Sequence, residues 1–450
     1  MMSRFPPSDH RYRREMGDGL VARWSTGEDT ERLAALYSVV FRAERESAPN
    51  ARIAAWTRDL KSGRHPLIDP ADFALVEDTR TGAIVAATCL LVQEWDYAGI
   101  TIPVGRPELV ATAEDYRNRG LIRAIFALIH ARSAAYGHLA QGITGIPYYY
   151  RQFGYEYALD LGGNRDLPFS ALPPLAVGAT ERYALRAAAR EDAPLLRRIY
   201  DRERAPALVS TRIDERYWDW ALGDEATEPV EGFRARIIVD GDGRPVGSVL
   251  HSRWRERDTL NIWALAVEPT ASLVAVAPSA LRHLREGARD IPAEPDAPPP
   301  TGFGFGLSPA DPVFEALGDL VPPAHVPPYA WYVRVPDLPA LIRRVAPVLE
   351  RRLATSVATG YSGETRLDFY RGGLRLVFVE GRLTEAADWR AAPWDKAQAG
   401  FPPLVFLQLL FGRRGLDDLR HAFPDVWVDD GLPLLRALFP ARPSWVLPLD

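Results

Sequence analysis

Hydrophobic and polar positions fall into two similar series along this chain. In the segment Glu28–Tyr37 the leucines and Tyr37 recur at helical spacing behind an acidic start, which predicts a capped amphipathic helix. Glu191–Tyr200 carries the same pattern. A helix bearing tryptophan follows each, with Trp56 in the first series and Trp218 and Trp220 in the second. A strand, turn, strand unit comes next in both. The first runs Phe73–Glu77, a turn at Thr81-Gly82, then Ala83–Leu91. The second runs Ala235–Val239, a turn at Gly241-Asp242-Gly243, then Val246–His251. Further on, Ile143–Pro147 and Tyr150–Tyr155 match Gly304–Pro309 and Phe314–Asp319, and each series ends in a strand, Tyr155–Leu161 or Ala330–Val335. Matching features in matching order imply a tandem duplication of an α/β unit.

A third pattern begins at Pro336. Asp337 is placed to cap a helix whose stripe is Leu338, Leu341, Ile342, Val345 and Leu349. Thr365–Tyr370 and Leu374–Glu380 form a hairpin about Gly372-Gly373. An apolar helix over Leu404–Phe411 and two short helices near Leu416–Phe423 and Leu432–Phe439 follow, which makes an α+β arrangement. The apolar stretch Leu404–Phe411 reads as core. The domains expected are therefore 1–165, 175–335 and 336–450. Ile291–Pro300, rich in proline, lies inside the second and reads as a surface loop.

Composition narrows the function. A chain of 450 residues, 47% hydrophobic and 25% charged, has ample core for several domains. A net charge of −5 argues against a nucleic-acid partner. A single cysteine, Cys89, excludes an internal disulfide framework, and eight scattered histidines show no metal-ligand spacing, so no metal is expected. No apolar run approaches bilayer length and the N-terminus has no signal-like apolar region, so the expectation is a cytoplasmic protein with no membrane partner.

Candidate chemistry concentrates in Pro107–Arg123, which reads as strand, tight turn, helix. The helix has Ile122, Ile125, Phe126 and Ile129 on one face and stops at Gly137. Arg117, Asn118, Arg119, Gly120, Leu121, Ile122 and Arg123 lie at its start. There the amides lack intrahelical partners and the helix dipole is positive, so a cluster of arginines is unfavourable unless an anion sits among them. Gly120 permits close approach of the chain to that anion. The segment is neither a Walker loop nor a dinucleotide fingerprint.

This segment resembles the GNAT superfamily of acetyl-CoA-dependent N-acetyltransferases, whose signature here is Arg/Gln-x-x-Gly-x-Gly/Ala. Arg117 and Gly120 match it, and Ile122 replaces the small last residue. Tyr150-Arg151-Gln152-Phe153-Gly154-Tyr155 is similar to the segment after the fifth strand of these enzymes. Two such units followed by an α+β domain resembling sterol carrier protein are similar to the Eis (enhanced intracellular survival) family. The resemblance implies two tandem GNAT folds, the second degenerate, then the sterol-carrier-like domain. It also implies that Val110 and Thr112 contact the thioester and pantetheine of acetyl-CoA, that Asn118–Arg123 hold its pyrophosphate, and that a homo-oligomer, a hexamer in that family, forms.

In that family the tyrosine opening the Tyr-x-x-Phe-Gly-Tyr segment protonates the departing thiolate. Here it is Tyr150, with Tyr148 and Tyr149 as neighbours. The terminal carboxylate is the base, which points to Asp450, although this chain ends Leu447-Pro448-Leu449-Asp450 rather than in an aromatic residue. Glu108, Glu114 and Asp115 are alternative bases. The second series serves as an internal control, with Phe314 in place of Tyr150 and Thr270-Ala271-Ser272-Leu273 in place of the cradle. The acceptor implied is an amine of a small molecule or of a lysine side chain. The segment Phe41–Trp56, with Glu44 and Glu46 but also Arg42, Arg45 and Arg52, reads as a solvated mixed-charge helix rather than a cleft. Cys89, in a buried strand, is not expected to carry an acetyl group. A non-catalytic protein binding CoA or an apolar ligand is the alternative.

Overall fold

The computed structural model describes residues 4–163, 165–223, 229–324, 327–392 and 394–449. The chain divides into two units, Met1–Leu159 with Trp331–Arg442, and Asp160–Ala330 with Pro443–Asp450.

The first unit opens with β1 (Arg13–Gly17), β2 (Leu20–Trp24), β3 (Phe73–Asp78), β4 (Ala83–Tyr97), β5 (Ile100–Thr112), β6 (Ala140–Ile143) and β7 (Glu156–Leu161). Its helices here are α1 (Thr30–Val40), α2 (Ala51–Lys61) and α3 (Leu121–Ala135). The strand β4 is almost wholly buried, which explains its near-continuous apolar run. The start of α1 is set by Asp29, which accepts the Thr26 amide at 2.8 Å and is gripped by Arg23 at 2.6 and 2.8 Å. Gly137, at φ 73°, stops α3 by giving its amide to the Ala134 carbonyl.

The second unit contains β8 (Arg165–Pro168), β9 (Ala184–Ala187), β10 (Val209–Arg212), β11 (Phe233–Val239), β12 (Pro245–Ser252), β13 (Thr259–Val267) and β14 (Gly302–Phe305). Its helices are α4 (Ala193–Arg204), α5 (Glu215–Ala221), α6 (Leu273–Gly287) and α7 (Pro312–Leu317). The strand order is β8-β14-β13-β12-β11-β9. Local construction repeats that of the first unit. Asp192 accepts the Ala189 amide at 2.9 Å and is gripped by Arg186 at 2.6 and 2.7 Å, as Asp29 is by Arg23. The Glu268 amide bonds to the Val246 carbonyl at 2.8 Å, as that of Ala113 does to Val85.

The chain then returns to the first unit with β15 (Tyr329–Arg334). Sequence pattern makes this the closing strand of the second series. In the fold it enters the first sheet, whose order is β1-β2-β3-β4-β5-β6-β15-β7. Tyr332, Val333 and Arg334 pair antiparallel with Ile143, Gly142 and Gln141. Buried Trp331 lies edge-on to Trp95, and Gly142 gives the Trp95 ring its space, since a Cβ there would fall 2.6 Å from it.

The remaining elements are α8 (Leu338–Ala354), β16 (Gly363–Asp368), β17 (Gly373–Val379), β18 (Arg382–Trp389), β19 (Ala399–Gly400), α9 (Phe406–Leu410), α10 (Leu416–Ala422), β20 (Trp427–Val428) and α11 (Leu432–Leu438). Asp337 caps α8 by accepting the Ala340 amide at 2.8 Å. The strand β18, which the hairpin pattern did not include, extends the sheet order to β18-β17-β16-β19-β20. The apolar run at Leu404–Phe411 is a shorter helix than its composition suggests, Phe406–Leu410, because Leu404 takes φ 73°, outside the right-handed helical region. No helix among the described residues is long and apolar enough to cross a membrane.

Candidate functional site

The site forms where β5 leaves its neighbour. Strands β5 and β6 pair in parallel only at Val104↔Ala140 and Gly105↔Gln141, while β5 runs on to Thr112. A bulge bends β5 on the β4 side. Between the pairs Cys89↔Glu108 and Ala87↔Ala111, Leu109 and Val110 oppose Thr88 alone. Leu109 sits at φ 53°. The Glu108 carboxylate steadies it, accepting the Leu109 amide at 3.1 Å and lying 2.6 Å from the buried Arg106 guanidinium. Beyond the bulge, the Ala113 amide bonds to Val85 on β4. Backbone groups alternate sides along a strand. Ala111 therefore also faces β4, and the amides and carbonyls of Val110 and Thr112 turn toward the side that β6 has left.

Helix α3 begins at the end of this slot. Gly120 is its N-cap at φ 72°, and a Cβ there would meet nothing within 4 Å. Asn118 is also left-handed at φ 62°. The first helical bond is from Ala124 to Gly120 at 3.2 Å, so the amides of Leu121, Ile122 and Arg123 have no partner within the helix. Among the described residues, Arg117, Arg119 and Arg123 have no carboxylate partner. Arg123 donates to the Gln152 side-chain oxygen at 3.0 Å and lies over the Phe153 ring.

Slot and helix start enclose a cavity of about 510 Å³, within the range of small-ligand sites. Val110, Thr112, Arg117, Asn118, Gly120, Leu121, Ile122 and Arg123 all line it. The Thr112 hydroxyl is buried there without a hydrogen-bond partner among the described residues. Arg119 does not line the cavity. It lies over the Tyr116 ring at 4.9 Å and donates to the Asp115 carbonyl at 2.9 Å.

Tyr150 is 3% exposed, stacked on Phe126 and edge-on to Tyr332, and is not on the cavity wall. Tyr149 is on it, and burial raises its pKa while Arg123 acts the other way. Sequence pattern missed Val40, Ala111, Tyr116, Ile146, Tyr149, Gln152 and Phe153 on the wall, although the last three stand in the tyrosine-rich run that marked Tyr150. Asp450 lies outside the described residues. The segment before it belongs to the second unit, where the Leu208 amide bonds to Pro443, the Trp445 amide to Val209, and the Leu447 amide to the Thr211 hydroxyl at 2.9 Å. Of the other candidate bases, Glu108 is engaged as described and Glu114 is an exposed partner of Arg45 at 3.3 Å. Cys89 is buried and its thiol is pushed up by that burial, so it is no nucleophile. Residues Phe41–Asn50 form no helix; α2 starts only after Asn50, whose side chain caps it, and Trp56 is buried.

The second unit keeps the frame with different residues at the corresponding positions. The strand β13 is bulged at Trp263, between the pairs His251↔Ile262 and Leu250↔Ala264. The Trp263 ring covers Gly306, where a Cβ would fall 2.2 Å from it. Helix α6 starts from Ser272 in an extended conformation, without a left-handed glycine or an arginine. Phe314 is packed against Phe305 beneath Arg165.

Residues 22–158 match the acetyltransferase (GNAT) domain. The match spans the bulge, the helix start and the tyrosine run. The full chain is similar in fold to several solved structures. One is a conserved protein of unknown function from Enterococcus faecalis V583, described as a probable N-acyltransferase, at 15% identity and TM-score 0.65, covering 96% of this chain and 100% of that one. Another is a GCN5-related N-acetyltransferase from Kribbella flavida, at 20% identity and TM-score 0.63, covering 96% and 98%. A third is Eis1 from Mycobacterium abscessus, at 14% identity and TM-score 0.58, covering 94% and 98%. No curated protein matches the chain at a significant level.

Proposed function

We propose that this chain is an acetyl-CoA-dependent N-acetyltransferase whose first repeat does the chemistry. The observation that carries the reading is the meeting of Arg117 and Arg123, without carboxylate partners among the described residues, a left-handed Gly120 and helix amides without intrahelical partners at the end of a splayed strand. That combination suits a pyrophosphate. Pantetheine then runs along β5, and the backbone of Val110 and Thr112 meets its amides and the thioester. A donor at the bulge stabilises the oxyanion formed when an amine attacks the acetyl carbon. The amine gives a proton to a base, for which the Asp450 carboxylate is the proposed group. The C–S bond breaks as the C–N bond is complete, and the thiolate takes a proton from a phenol, proposed as Tyr150. The second repeat is a degenerate GNAT fold, the C-terminal part is a sterol-carrier-like domain, and the working form is a cytoplasmic homo-oligomer. The burial of Tyr150 favours the rival reading of a non-catalytic CoA binder.

A thiol-release assay with acetyl-CoA and a panel of polyamines, aminoglycosides and lysine peptides separates the two. Acceptor-dependent release that falls at least tenfold in Tyr150→Phe supports the enzyme and the acid. A fall in Tyr149→Phe alone moves the acid to the wall residue. CoA binding without release for any acceptor supports the binder.

A further inference from the structure

Strand β15 brings Tyr332 against the loop that borders the cavity. The Tyr332 hydroxyl donates to the Ile146 carbonyl at 3.1 Å and lies 2.6 Å from the Tyr157 hydroxyl. Tyr157 accepts the Tyr148 amide at 3.0 Å. Each phenol has one proton to give and can also accept. With the Tyr332 proton on Ile146, the Tyr157 proton bridges the two phenols, and one chain satisfies all four groups. That chain leaves the loop at residue 148 and returns to it at residue 146. The two rings stack 4.0 Å apart, which sets the spacing of the hydroxyls.

The loop needs such a bracket. Tyr148 takes φ 60°, a conformation that costs an L-residue about 1–2 kcal/mol. Its ring is 69% exposed, so burial does not hold it there. Ile146 and Tyr149 on either side both line the cavity, and Tyr150 follows, edge-on to the Tyr332 ring at 5.4 Å.

We propose that the Tyr332–Tyr157 phenol pair positions the 146–150 loop, and with it Tyr149 and Tyr150, at the reacting end of the site. The catalytic part of this proposal rests on the acetyltransferase reading. It also makes the first repeat incomplete alone, since the matched domain ends at residue 158 and Tyr332 arrives from the strand that follows the second repeat.

The test uses the full chain with Tyr332→Phe, Tyr157→Phe and both together, which keep the stacked rings. Hydrogen exchange of the peptide covering 146–150 is expected to speed up at least tenfold in each, with β4 and α3 unchanged. In thiol release, kcat is expected to fall at least tenfold while KM for acetyl-CoA and the Kd of CoA change by less than threefold, because the loop shares the cavity wall but the anion-facing amides and Gly120 belong to α3 and the turn before it, which the phenol pair does not hold. The double variant is expected to equal the singles. Unchanged exchange overturns the proposal, as does a loosened loop with kcat within twofold of wild type. If wild type releases no thiol with any acceptor, the acetyltransferase reading fails, and the exchange result alone decides whether the pair positions the loop.

Discussion

The carboxylate of Glu108 lies 2.6 Å from the guanidinium of Arg106 on the same strand, and it also holds the amide of Leu109. This clamp ends on the first residue of the bulge, Leu109. Arg106 is 3% exposed and lies 5.3 Å from the Trp331 ring. Replacing Glu108 by glutamine leaves a buried cation with a weaker partner. The expected cost is about 2–3 kcal/mol, read by thermal denaturation. The acid limb of the pH–rate profile is expected to stay in place, because a carboxylate engaged on both oxygens is a poor base. A shifted limb would return Glu108 to the role of base.

Gly120 separates binding from stability. Alanine there has room but takes the strain of φ 72°, so stability is expected to fall by about 1–2 kcal/mol. Aspartate adds a negative charge where the pyrophosphate is proposed to sit. Calorimetry is expected to show CoA affinity down at least a hundredfold in Gly120→Asp, and about tenfold in Arg117→Ala or Arg123→Ala. Equal affinity in Gly120→Asp would move the anion site elsewhere.

Tyr37 is fully buried, its hydroxyl has no partner among the described residues, and burial together with Cys89 and Glu108 pushes its pKa well up. A hydroxyl left unpaired in the core carries a desolvation cost. Tyr37→Phe is therefore expected to match wild type or to gain up to about 1 kcal/mol in a thermal melt. A loss of more than that would reveal a bound water or ligand on the phenol.

Burial lowers the pKa of His130 to about 3, with Arg334 acting in the same direction. Burial lowers His138 and His251 to about 4. An unfolded histidine takes its proton near pH 6.5. Between that pH and the folded values the unfolded chain holds more protons, so stability is full above about pH 6.5 and falls as pH drops toward 4. Each such histidine contributes up to about 1.4 kcal/mol per pH unit in its window. Melting temperatures from pH 7 to 4 are expected to fall less steeply in His130→Gln than in wild type. An unchanged slope would mean that His130 takes its proton in the fold at the same pH as in the unfolded chain, so that burial does not lower its pKa.

Much of this was legible in the chain. The starts of α1 and α4 depend on an acidic residue and a few neighbouring amides, so a short window of sequence determines them. The tight turn before α3 was legible for the same reason, since Gly120 and the amides after it are consecutive, while its left-handed conformation at Asn118 and Gly120 came from the structure. What only the tertiary structure decided is long-range pairing. That β15 enters the first sheet, and so brings Tyr332 to Ile146, depends on strand partners far apart in sequence, and a near-continuous apolar strand buried on both faces suits the interior of either sheet. The divergence of β5 from β6 follows from a bulge whose register involves β4. The choice of Tyr149 over Tyr150 for the cavity wall was likewise hidden. Adjacent tyrosines in one turn of 3-10 helix point about a third of a turn apart, and only the packing of Phe126 and Tyr332 against Tyr150 decides which of them faces inward.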